Sequence, residues 1–224
     1  MLDYIRLNEE EPILPQVSMY IQSAAFLLHP FVQMPKGWER KKRERPLQHI
    51  YPNDEEILKL AKPVSWKEIC RISGLQSSKE VALALAYNAL RRKYKRGDLS
   101  NKLDLALDNS DMYWPMEDTY SIFHIKSILC LLGSRESSTF FYSEPLEGKK
   151  GQLPIGINPL EISNLSSAEL IITEKNTEFA FMTLYDQYTT LFFSKEPTIS
   201  GIIEKMKWEA VICDSDTSEY WYLD

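Results

Sequence analysis

Glycine is scarce in this sequence: there are eight among 224 residues, and none of them forms a phosphate-binding pattern. The loops that cradle phosphate groups, such as G-x-G-x-x-G and the Walker loop, need closely spaced glycines because the backbone itself approaches the ligand. The G-x-S-x-G sequence of serine hydrolases is missing as well. These absences exclude the enzyme classes that carry such signatures, and they leave open a catalytic site assembled from distant residues.

Cysteine and histidine, which are common zinc ligands, are equally sparse, with three of each. No CxxC or CxxH pair occurs, and no histidine has a second histidine or a glutamate at helical i, i+4 spacing. The sequence therefore predicts neither a metal site nor a disulfide framework, and it indicates no cofactor. Reduced, buried thiols are expected at Cys70, Cys130 and Cys213.

No apolar run is long enough to cross a bilayer, which takes about 20 residues. The best candidate, residues 24–32, contains His29 and Pro30, and we predict that it forms one buried helix. A secretory signal needs a basic start followed by an apolar run, whereas residues 9–11 are all glutamate. We therefore expect a cytoplasmic protein with no membrane partner.

What the sequence does have is a strong polarity of charge. Residues 36–102 carry 17 basic and 8 acidic side chains, a net charge of +9. Residues 103–224 carry 8 basic and 20 acidic side chains, a net charge of −12, and residues 1–35 add −3. A basic region attracts anionic partners and an acidic region attracts cationic ones. The alternative is that both regions are ordinary solvated surface.

Capping residues mark the helices of the first half. Asn53, Ser65 and Ser77 each stand three residues before a glutamate, the spacing in which a capping side chain satisfies free N–H groups of a helix. Gly74 suits a left-handed helix end. Residues 36–46, a basic stretch flanked by prolines, are predicted to be an exposed loop. The predicted helices begin at residue 54, ending by residue 62, and cover residues 66–73, 78–96, 117–132 and 198–206.

The last third of the chain changes to a strand pattern. A loop rich in glycine and proline is predicted over residues 145–159, and a hairpin loop over residues 175–177. The order predicts an α+β fold, with a mostly helical N-terminal half followed by a small antiparallel sheet with a packed helix. We divide the chain into a helical region, 1–135, and an acidic sheet region, 136–224, with one continuous domain as the alternative. The predicted strands cover residues 139–142, 169–173, 179–185, 188–193 and 208–213.

Residues 65–96 resemble a helix-turn-helix. Polar side chains would open its second helix, where base contacts are made, and basic side chains stand at its far end, where phosphate contact is expected. The turn is about one residue too long, and the middle of the second helix is almost entirely apolar, which favours a plain helical hairpin. The candidate nucleic-acid-binding residues are Gln76, Ser77, Lys79, Arg91, Arg92 and Lys93.

Two stretches, LNEEEPILPQVSMYIQSAAFLLHPFVQMPKGWER and HIYPNDEEILKLAKPVSWKEIC, are similar to an uncharacterised family of Bacillus-type Firmicute proteins. That family carries a domain-of-unknown-function label and no assigned activity, so the resemblance implies a bacterial cytoplasmic protein and carries over no functional residues. The stretches FAFMTLYDQYTTLFFSKE and TISGIIEKMKWEAVICD resemble immunity proteins of bacterial toxin systems. Such proteins often pair a small sheet and a helix with an acidic, aromatic-rich face.

We interpret the chain as a non-enzymatic protein-binding module, with an immunity-type inhibitor of a cationic bacterial toxin as its specific form. Acidic surfaces speed the capture of basic partners, and tyrosine and tryptophan anchor interfaces. A nucleic-acid-binding regulator that uses the helix-turn-helix-like segment is the alternative, and a cryptic hydrolase is a further one. The sequence leaves the oligomeric state open. The candidate partner-binding residues are Tyr185, Asp186, Tyr188, Tyr220, Trp221 and Tyr222.

Overall fold

The structure is a computed structural model, and it describes residues 2–17, 19–45, 48–108, 110–135, 137–166 and 168–223. Within these residues the strands are β1 Ser23–Leu28, β2 Phe31–Gln33, β3 Lys62–Val64, β4 Met112–Tyr113, β5 Thr139–Ser143, β6 Lys150–Pro154, β7 Ile171–Thr173, β8 Phe179–Thr183, β9 Thr189–Ser194 and β10 Ala210–Ile212. The α-helices are α1 Ile13–Gln16, α2 Trp38–Lys42, α3 Asp54–Leu60, α4 Trp66–Ser73, α5 Ser78–Leu85, α6 Gly97–Asp108, α7 Ile122–Leu132, α8 Pro159–Ser163 and α9 Ser200–Met206. Short 3₁₀ turns cover Arg92–Tyr94 and Gly133–Arg135.

These elements fall into two compact units. The sheet unit is formed by residues 2–29 and Glu117–Tyr222, and the helical unit by Pro30–Met116 with Leu223. The two units meet along the chain at residues 29–30 and 116–117, and not after residue 135. Whether the predicted regions 1–135 and 136–224 are separate domains stays a prediction.

The sheet unit is built on seven antiparallel strands in the order β10-β1-β9-β8-β7-β5-β6. Its central strands are buried along their whole length, since every residue of β1, β8 and β9 is buried and most are apolar. Antiparallel sheets with one solvated face show alternating polar residues, so this pattern indicates cover on both faces.

Aromatic contacts show what covers each face. Trp208 packs against Phe192 of β9 and His124 of α7, with ring centroids 5.8 and 6.3 Å apart, so α7 lies over the Phe192 face. Trp221, near the C-terminus, contacts Phe26 of β1 at 6.2 Å. Ala25 of β1 is the register partner of Phe192. Phe26 is the next residue, so its side chain points to the opposite face of the sheet. The C-terminal segment thus covers the second face.

Strand β1 is the largest correction to the sequence prediction. A single buried helix over residues 24–32 is wrong, because Ser23–Leu28 pairs with β9 on one side and β10 on the other. A strand that is buried on both faces has no polar alternation, so its apolar run cannot be distinguished from a buried helix by period. The chain then leaves this sheet at His29 and Pro30 and forms β2 in the helical unit.

Strand β6 is a second correction, since residues 145–159 are not simply a loop. Lys150–Pro154 pairs with β5 and forms one edge of the sheet. Gly151, which favoured the loop prediction, lies in register with Tyr142, and an added Cβ there would come 2.6 Å from Cε1 of that ring. The glycine therefore makes room for the tyrosine ring across the strand pair.

Two buried glutamates hold the hairpin turns beside β6 and β8. Glu174 follows β7, and its carboxylate accepts hydrogen bonds from the backbone N–H groups of Asn176 and Glu178. Glu144 follows β5 and accepts two backbone N–H groups of its own turn at 2.7 and 2.8 Å. Hydrogen bonds to a charged acceptor are about twice as strong as neutral ones. The predicted hairpin loop over residues 175–177 is confirmed.

In the helical unit the predicted caps are confirmed. The Asn53 side chain accepts a hydrogen bond from the Glu56 N–H, and the Glu56 carboxylate accepts one from the Asn53 N–H. These two bonds form a capping box at the start of α3. Ser65 and Ser77 cap α4 and α5 in the same way through their hydroxyl oxygens. Helix α4 ends at Gly74, whose φ is 74°. Helices α4, α5 and α6 contact one another, and β3, β2 and β4 form a three-stranded antiparallel sheet in that order.

The long helix predicted over residues 78–96 is wrong. Helix α5 ends at Leu85, and a further helix, α6, which was not among the predicted helices, begins at Gly97. A continuous helix would place Arg91 above Lys95 and Arg92 above Arg96, and like charges at i, i+4 are destabilising. The chain instead forms turns and one 3₁₀ turn across residues 86–96.

The basic stretch 36–46 is also more ordered than predicted over its described part, which excludes Pro46. Trp38–Lys42 forms α2, and Trp38 is 7% exposed with its ring 5.7 Å from that of Tyr113. The burial of one tryptophan within a run of cations explains the helix. Among the cysteines, Cys213 is buried as expected, whereas Cys130 is exposed on α7.

The α+β class is confirmed by this mixture of helices and antiparallel sheets. The predicted order, a helical half followed by a small sheet, is not confirmed, because β1 joins the large sheet from the N-terminal side. Among the described residues no helix has both the length and the apolar character needed to cross a membrane.

Candidate functional site

Carboxylates gather at the end of the large sheet where a turn joins β8 to β9. They come from five separate stretches of the sheet unit. Their charges act on one another, and the pKa values of Glu117, Asp118 and Glu219 are raised in part by neighbouring carboxylates. We call this group the acidic cluster; it consists of Glu9, Glu117, Asp118, Glu169, Asp186 and Glu219.

Two aspartates in the left-handed region organise the turn. Asp118 has a φ of 63° and Asp186 a φ of 53°. The Asp186 N–H donates to Oδ1 of Asp118 at 2.6 Å, and the Asp118 N–H donates to the Gln187 carbonyl at 3.1 Å. Aspartate tolerates this backbone region better than most residues. The segment before α7 is thereby fixed against the β8–β9 turn, and both carboxylates are held on the same side of it.

Glu219 is the most buried carboxylate of the cluster, at 6% exposed. The Gln187 side-chain amide donates to its Oε1 at 3.5 Å. The pKa of Glu219 is raised to about 7, mainly by burial and then by the nearby charges of Glu9 and Glu169. At neutral pH this group therefore exists in both protonated and ionised forms.

Tyrosines line the cluster and donate hydrogen bonds into it. Tyr4 donates to Glu169 at 3.2 Å and to the carbonyl of Thr183 at 2.9 Å. Tyr220 donates to Glu9 at 2.5 Å. Burial is the first cause that raises the pKa of both phenols above the usual range, and the neighbouring carboxylates raise them further. The phenols therefore stay protonated and act as donors.

Electrostatic repulsion is the main property of this site. Burial raises the pKa of Glu117 and of Asp118, and the charge of Asp186 raises both further. Close carboxylates disfavour one another's ionised form, so a docked cation lowers the free energy of the site. Across the described residues, no three histidine, cysteine or acidic side chains stand together as metal ligands.

The predicted partner-binding residues divide into exposed and buried groups. Tyr185 is 63% exposed, Asp186 is exposed, and Tyr220 is partly exposed. The other three are buried, and their role in partner binding stays a prediction; they are Tyr188, Trp221 and Tyr222.

Sequence reasoning missed Tyr4 and five of the six acids, because they are far apart in the chain. Glu117 makes a side-chain hydrogen bond with Tyr188, and Gln187 makes one with Tyr222. The only local signal was a pair of turn-favouring aspartates, Asp118 and Asp186, next to aromatic strands.

The predicted nucleic-acid residues lie in the helical unit in two places. Gln76, Ser77 and Lys79 stand at the start of α5, where Ser77 is used as the cap and the Gln76 amide donates to the carbonyl of Gly74 at 2.9 Å. The second group lies beyond the end of α5, in and beside the 3₁₀ turn, and is exposed; it consists of Arg91, Arg92 and Lys93. The structure does not bring the two groups onto one helix.

Two histidines meet in the core of the sheet unit. His29 is 0% exposed and its Nε2 lies 2.8 Å from Oγ1 of Thr190, and its ring centroid is 6.0 Å from that of His124. Nδ1 of His124 has no hydrogen-bond partner within the described part of the chain. The pKa of His124 is lowered to about 3, mainly by burial and then by the charge of His29. As expected beside an apolar stripe, His124 is a core residue.

The comparisons with known proteins were made against family models, curated proteins and solved structures. A family model described as "Protein of unknown function (DUF2711)" matches residues 9–223. The chain belongs to the DUF2711 family. This DUF2711 protein is 43% identical to the uncharacterized protein YwbB of Bacillus subtilis (strain 168) over 225 residues, which cover 99% of this chain and 100% of that protein. No solved structure matches it.

The similarity to an uncharacterised Bacillus-type family is therefore confirmed for this DUF2711 protein. The similarity of its C-terminal third to toxin-immunity proteins stays a prediction.

Proposed function

We propose that this chain is a protein-binding module that uses the acidic cluster to bind a cationic partner. The observation that carries the proposal is the crowding of six carboxylates around the β8–β9 turn, where several raise one another's pKa. A fold retains such repulsion at a cost in stability, and perturbed carboxylates concentrate at functional sites. A basic protein surface would relieve the repulsion when it binds.

The exposed part of the cluster supports a protein as the partner. Tyr185 offers a large aromatic side chain next to Asp186 in the turn, and Asp186 is close enough to Glu117 to raise its pKa; all three residues are exposed. Tyrosine next to charge is a common combination at interface hot spots. Electrostatic complementarity of this kind mainly raises the association rate and its sensitivity to salt.

The finer hypothesis is that the partner is a basic bacterial toxin, such as a nuclease, which the chain inhibits. Its support is the resemblance of the stretches FAFMTLYDQYTTLFFSKE and TISGIIEKMKWEAVICD to immunity proteins, together with the acidic cluster beside them. An inhibitor of this class binds its partner without catalysing a reaction. Carboxylates and phenols can supply the charge and the hydrogen bonds for such binding.

The test compares three forms of the full chain as bait in a Bacillus subtilis extract at low salt. The cluster variant carries Glu117→Gln, Asp186→Asn and Tyr185→Ala. The control variant carries Glu147→Gln, Glu204→Gln and Tyr20→Ala, which remove equal charge and one exposed tyrosine elsewhere in the sheet unit.

The expected result is a basic protein captured by the wild type and the control but not by the cluster variant. In purified form it should bind the wild type with an affinity that falls as salt rises, and bind the cluster variant at least about tenfold more weakly, a difference of about 1.4 kcal/mol. Equal capture by the cluster variant, or no basic protein captured by any form, would refute the proposal.

A further inference from the structure

The connector between α5 and α6, residues 86–96, has properties that the acidic cluster does not explain. Within its last six residues it carries five cations, Arg91, Arg92, Lys93, Lys95 and Arg96. Four of these are exposed, and Lys95 is partly exposed. The connector belongs to the helical unit, so its role is independent of the proposed function of the sheet unit.

The connector is an ordered loop and not a loose basic arm. Leu90 is 7% exposed, and its N–H donates to the carbonyl of Ala86 at 3.0 Å. The Tyr94 N–H donates to the carbonyl of Arg91 at 2.9 Å, which closes the 3₁₀ turn. The basic side chains are therefore presented from a fixed backbone, which lowers the entropy lost when a ligand binds.

Two tyrosine rings lie among these cations. The Lys93 ammonium lies 4.4 Å from the ring centroid of Tyr94, and the Lys95 ammonium lies 5.1 Å from that of Tyr87. Tyr94 is 36% exposed. Cations set against exposed aromatic rings are the combination that single-strand-binding proteins use, because phosphates meet the charges and bases stack on the rings.

The start of α5, in contrast, is poorly suited to a nucleic acid. The Glu80 carboxylate accepts the backbone N–H of Gln76 at 2.8 Å, so a negative charge already occupies this helix end. Ser77 is used as the cap, and the Gln76 amide is bonded to Gly74. A duplex read by the first turn of α5 would meet this carboxylate and side chains that already have partners.

We propose that the connector between α5 and α6 is a binding site for single-stranded nucleic acid, in which the cations contact phosphates and Tyr94 stacks on a base. Arg96 donates to the Asp98 carboxylate at 2.8 and 2.7 Å, and Lys95 donates to the Asn88 carbonyl at 3.2 Å, so the proposal assigns the main phosphate contacts to the exposed Arg91, Arg92 and Lys93. The site carries no sequence-reading arrangement, and binding is expected to be tolerant of sequence and sensitive to salt.

The experiment measures the binding of fluorescent dT and U 12-mers, and of a 12-bp duplex, to the full chain between 25 and 200 mM salt. With about three phosphate contacts, the logarithm of the affinity for a single strand should fall with the logarithm of salt at a slope of about −2. The duplex should bind at least about fivefold more weakly, since it offers no free base to stack. No binding of either 12-mer at 25 mM salt, or equal binding of the duplex, would overturn the proposal.

Variants separate charge from stacking. Arg91→Gln, Arg92→Gln and Lys93→Gln together should weaken binding at least tenfold and flatten the salt slope. A control triple with equal charge loss in the same unit, Lys59→Gln, Lys62→Gln and Lys67→Gln, should change affinity less than threefold. Tyr94→Ala should weaken binding at least about fivefold while Tyr94→Phe stays near wild type, as expected for base stacking. An equal loss in the two triples, or no loss in Tyr94→Ala, would show attraction by net charge and refute the site.

Discussion

The backbone N–H of Asp186 donates to Oδ1 of Asp118 at 2.6 Å, and both aspartates have positive φ angles. This bond joins the β8–β9 turn to the segment before α7, which lies 68 residues away in sequence. It fixes the geometry of the acidic cluster while holding two like charges close together. The same contact therefore stabilises the turn and maintains the repulsion in the site.

We expect Asp118→Ala to lower the free energy of unfolding by about 1–3 kcal/mol, because it removes a charged acceptor from a backbone N–H. Asp186→Asn keeps the N–H donor and the tolerance of positive φ while it removes one negative charge, so it should be neutral or stabilising. Urea denaturation of both variants checks this. A loss for Asp118→Ala no larger than that for Asp186→Asn would contradict the assigned role of the bond.

The pKa of Glu219 predicts how stability changes with pH. The group titrates at about 7 in the folded chain and near its ordinary value of 4.5 when unfolded, so the folded state binds more protons between these values. Its contribution is fully present below pH 4.5 and is lost as pH rises through 7. The loss is on the order of 3 kcal/mol.

Glu219→Gln should abolish this component, so that the variant gains stability relative to the wild type as pH rises from 5 to 8. Denaturation at one-unit steps of pH measures the difference, with Glu161→Gln on exposed α8 as the matched control. A difference between Glu219→Gln and wild type that is constant across pH would refute the assignment.

His124 predicts a pH dependence of opposite sign. Its pKa is about 3 in the folded chain against 6.5 in an ordinary environment, because burial disfavours the charged ring. The contribution of His124 to the free energy of unfolding is fully present above pH 6.5 and is lost as pH falls toward 3. The loss is about 2 kcal/mol at pH 5.

His124→Leu replaces the ring with an apolar side chain and should therefore gain stability relative to the wild type as pH falls from 7 to 5. His49→Gln serves as the control, since the His49 side chain is 91% exposed. If both histidine variants show the same pH profile relative to wild type, the buried His29–His124 pair is not the source.

The close approach of Gly151 to Tyr142 predicts a packing effect at the edge of the sheet. Gly151→Ala places a Cβ 2.6 Å from the ring, so it should destabilise the chain by about 1–3 kcal/mol, the usual range for overpacking. Gly156→Ala is the control, because nothing lies within 4 Å of a Cβ at that position. Combining Gly151→Ala with Tyr142→Leu should remove most of the penalty, measured against Tyr142→Leu alone by thermal or urea denaturation.

The sequence was most informative where local chemistry decides the structure. Ser65, Ser77 and Gly74 act through bonds to their own neighbours, so the bounds of α4 and the start of α5 were predictable from spacing. The stripe of α7 and the hairpin after β7 were predictable for the same reason. Strand β1 was not, because its buried faces are created by α7, Trp208 and Trp221, which are remote in the chain.

The acidic cluster shows the same division between local and remote information. The aromatic and acidic character of residues 185–188 and 219–222 was visible in the sequence. The contribution of Glu9 and Glu117 was not, because only the strand order brings the N-terminal segment and the start of α7 to that turn. A side chain's burial is also set by remote contacts, which is why the burial of Trp221 and Tyr222 was not predicted.

The position of β1 has a consequence for how the chain is made. Phe26 pairs with Leu191 and with Val211, so both neighbours of this strand are synthesised long after it. Until then the five apolar residues that follow Ser23 have no partner strand, and long loops must close before they gain one, which slows folding and exposes the strand to aggregation. Nascent chains that stop before Ala210 should therefore require a chaperone to keep the first strand shielded.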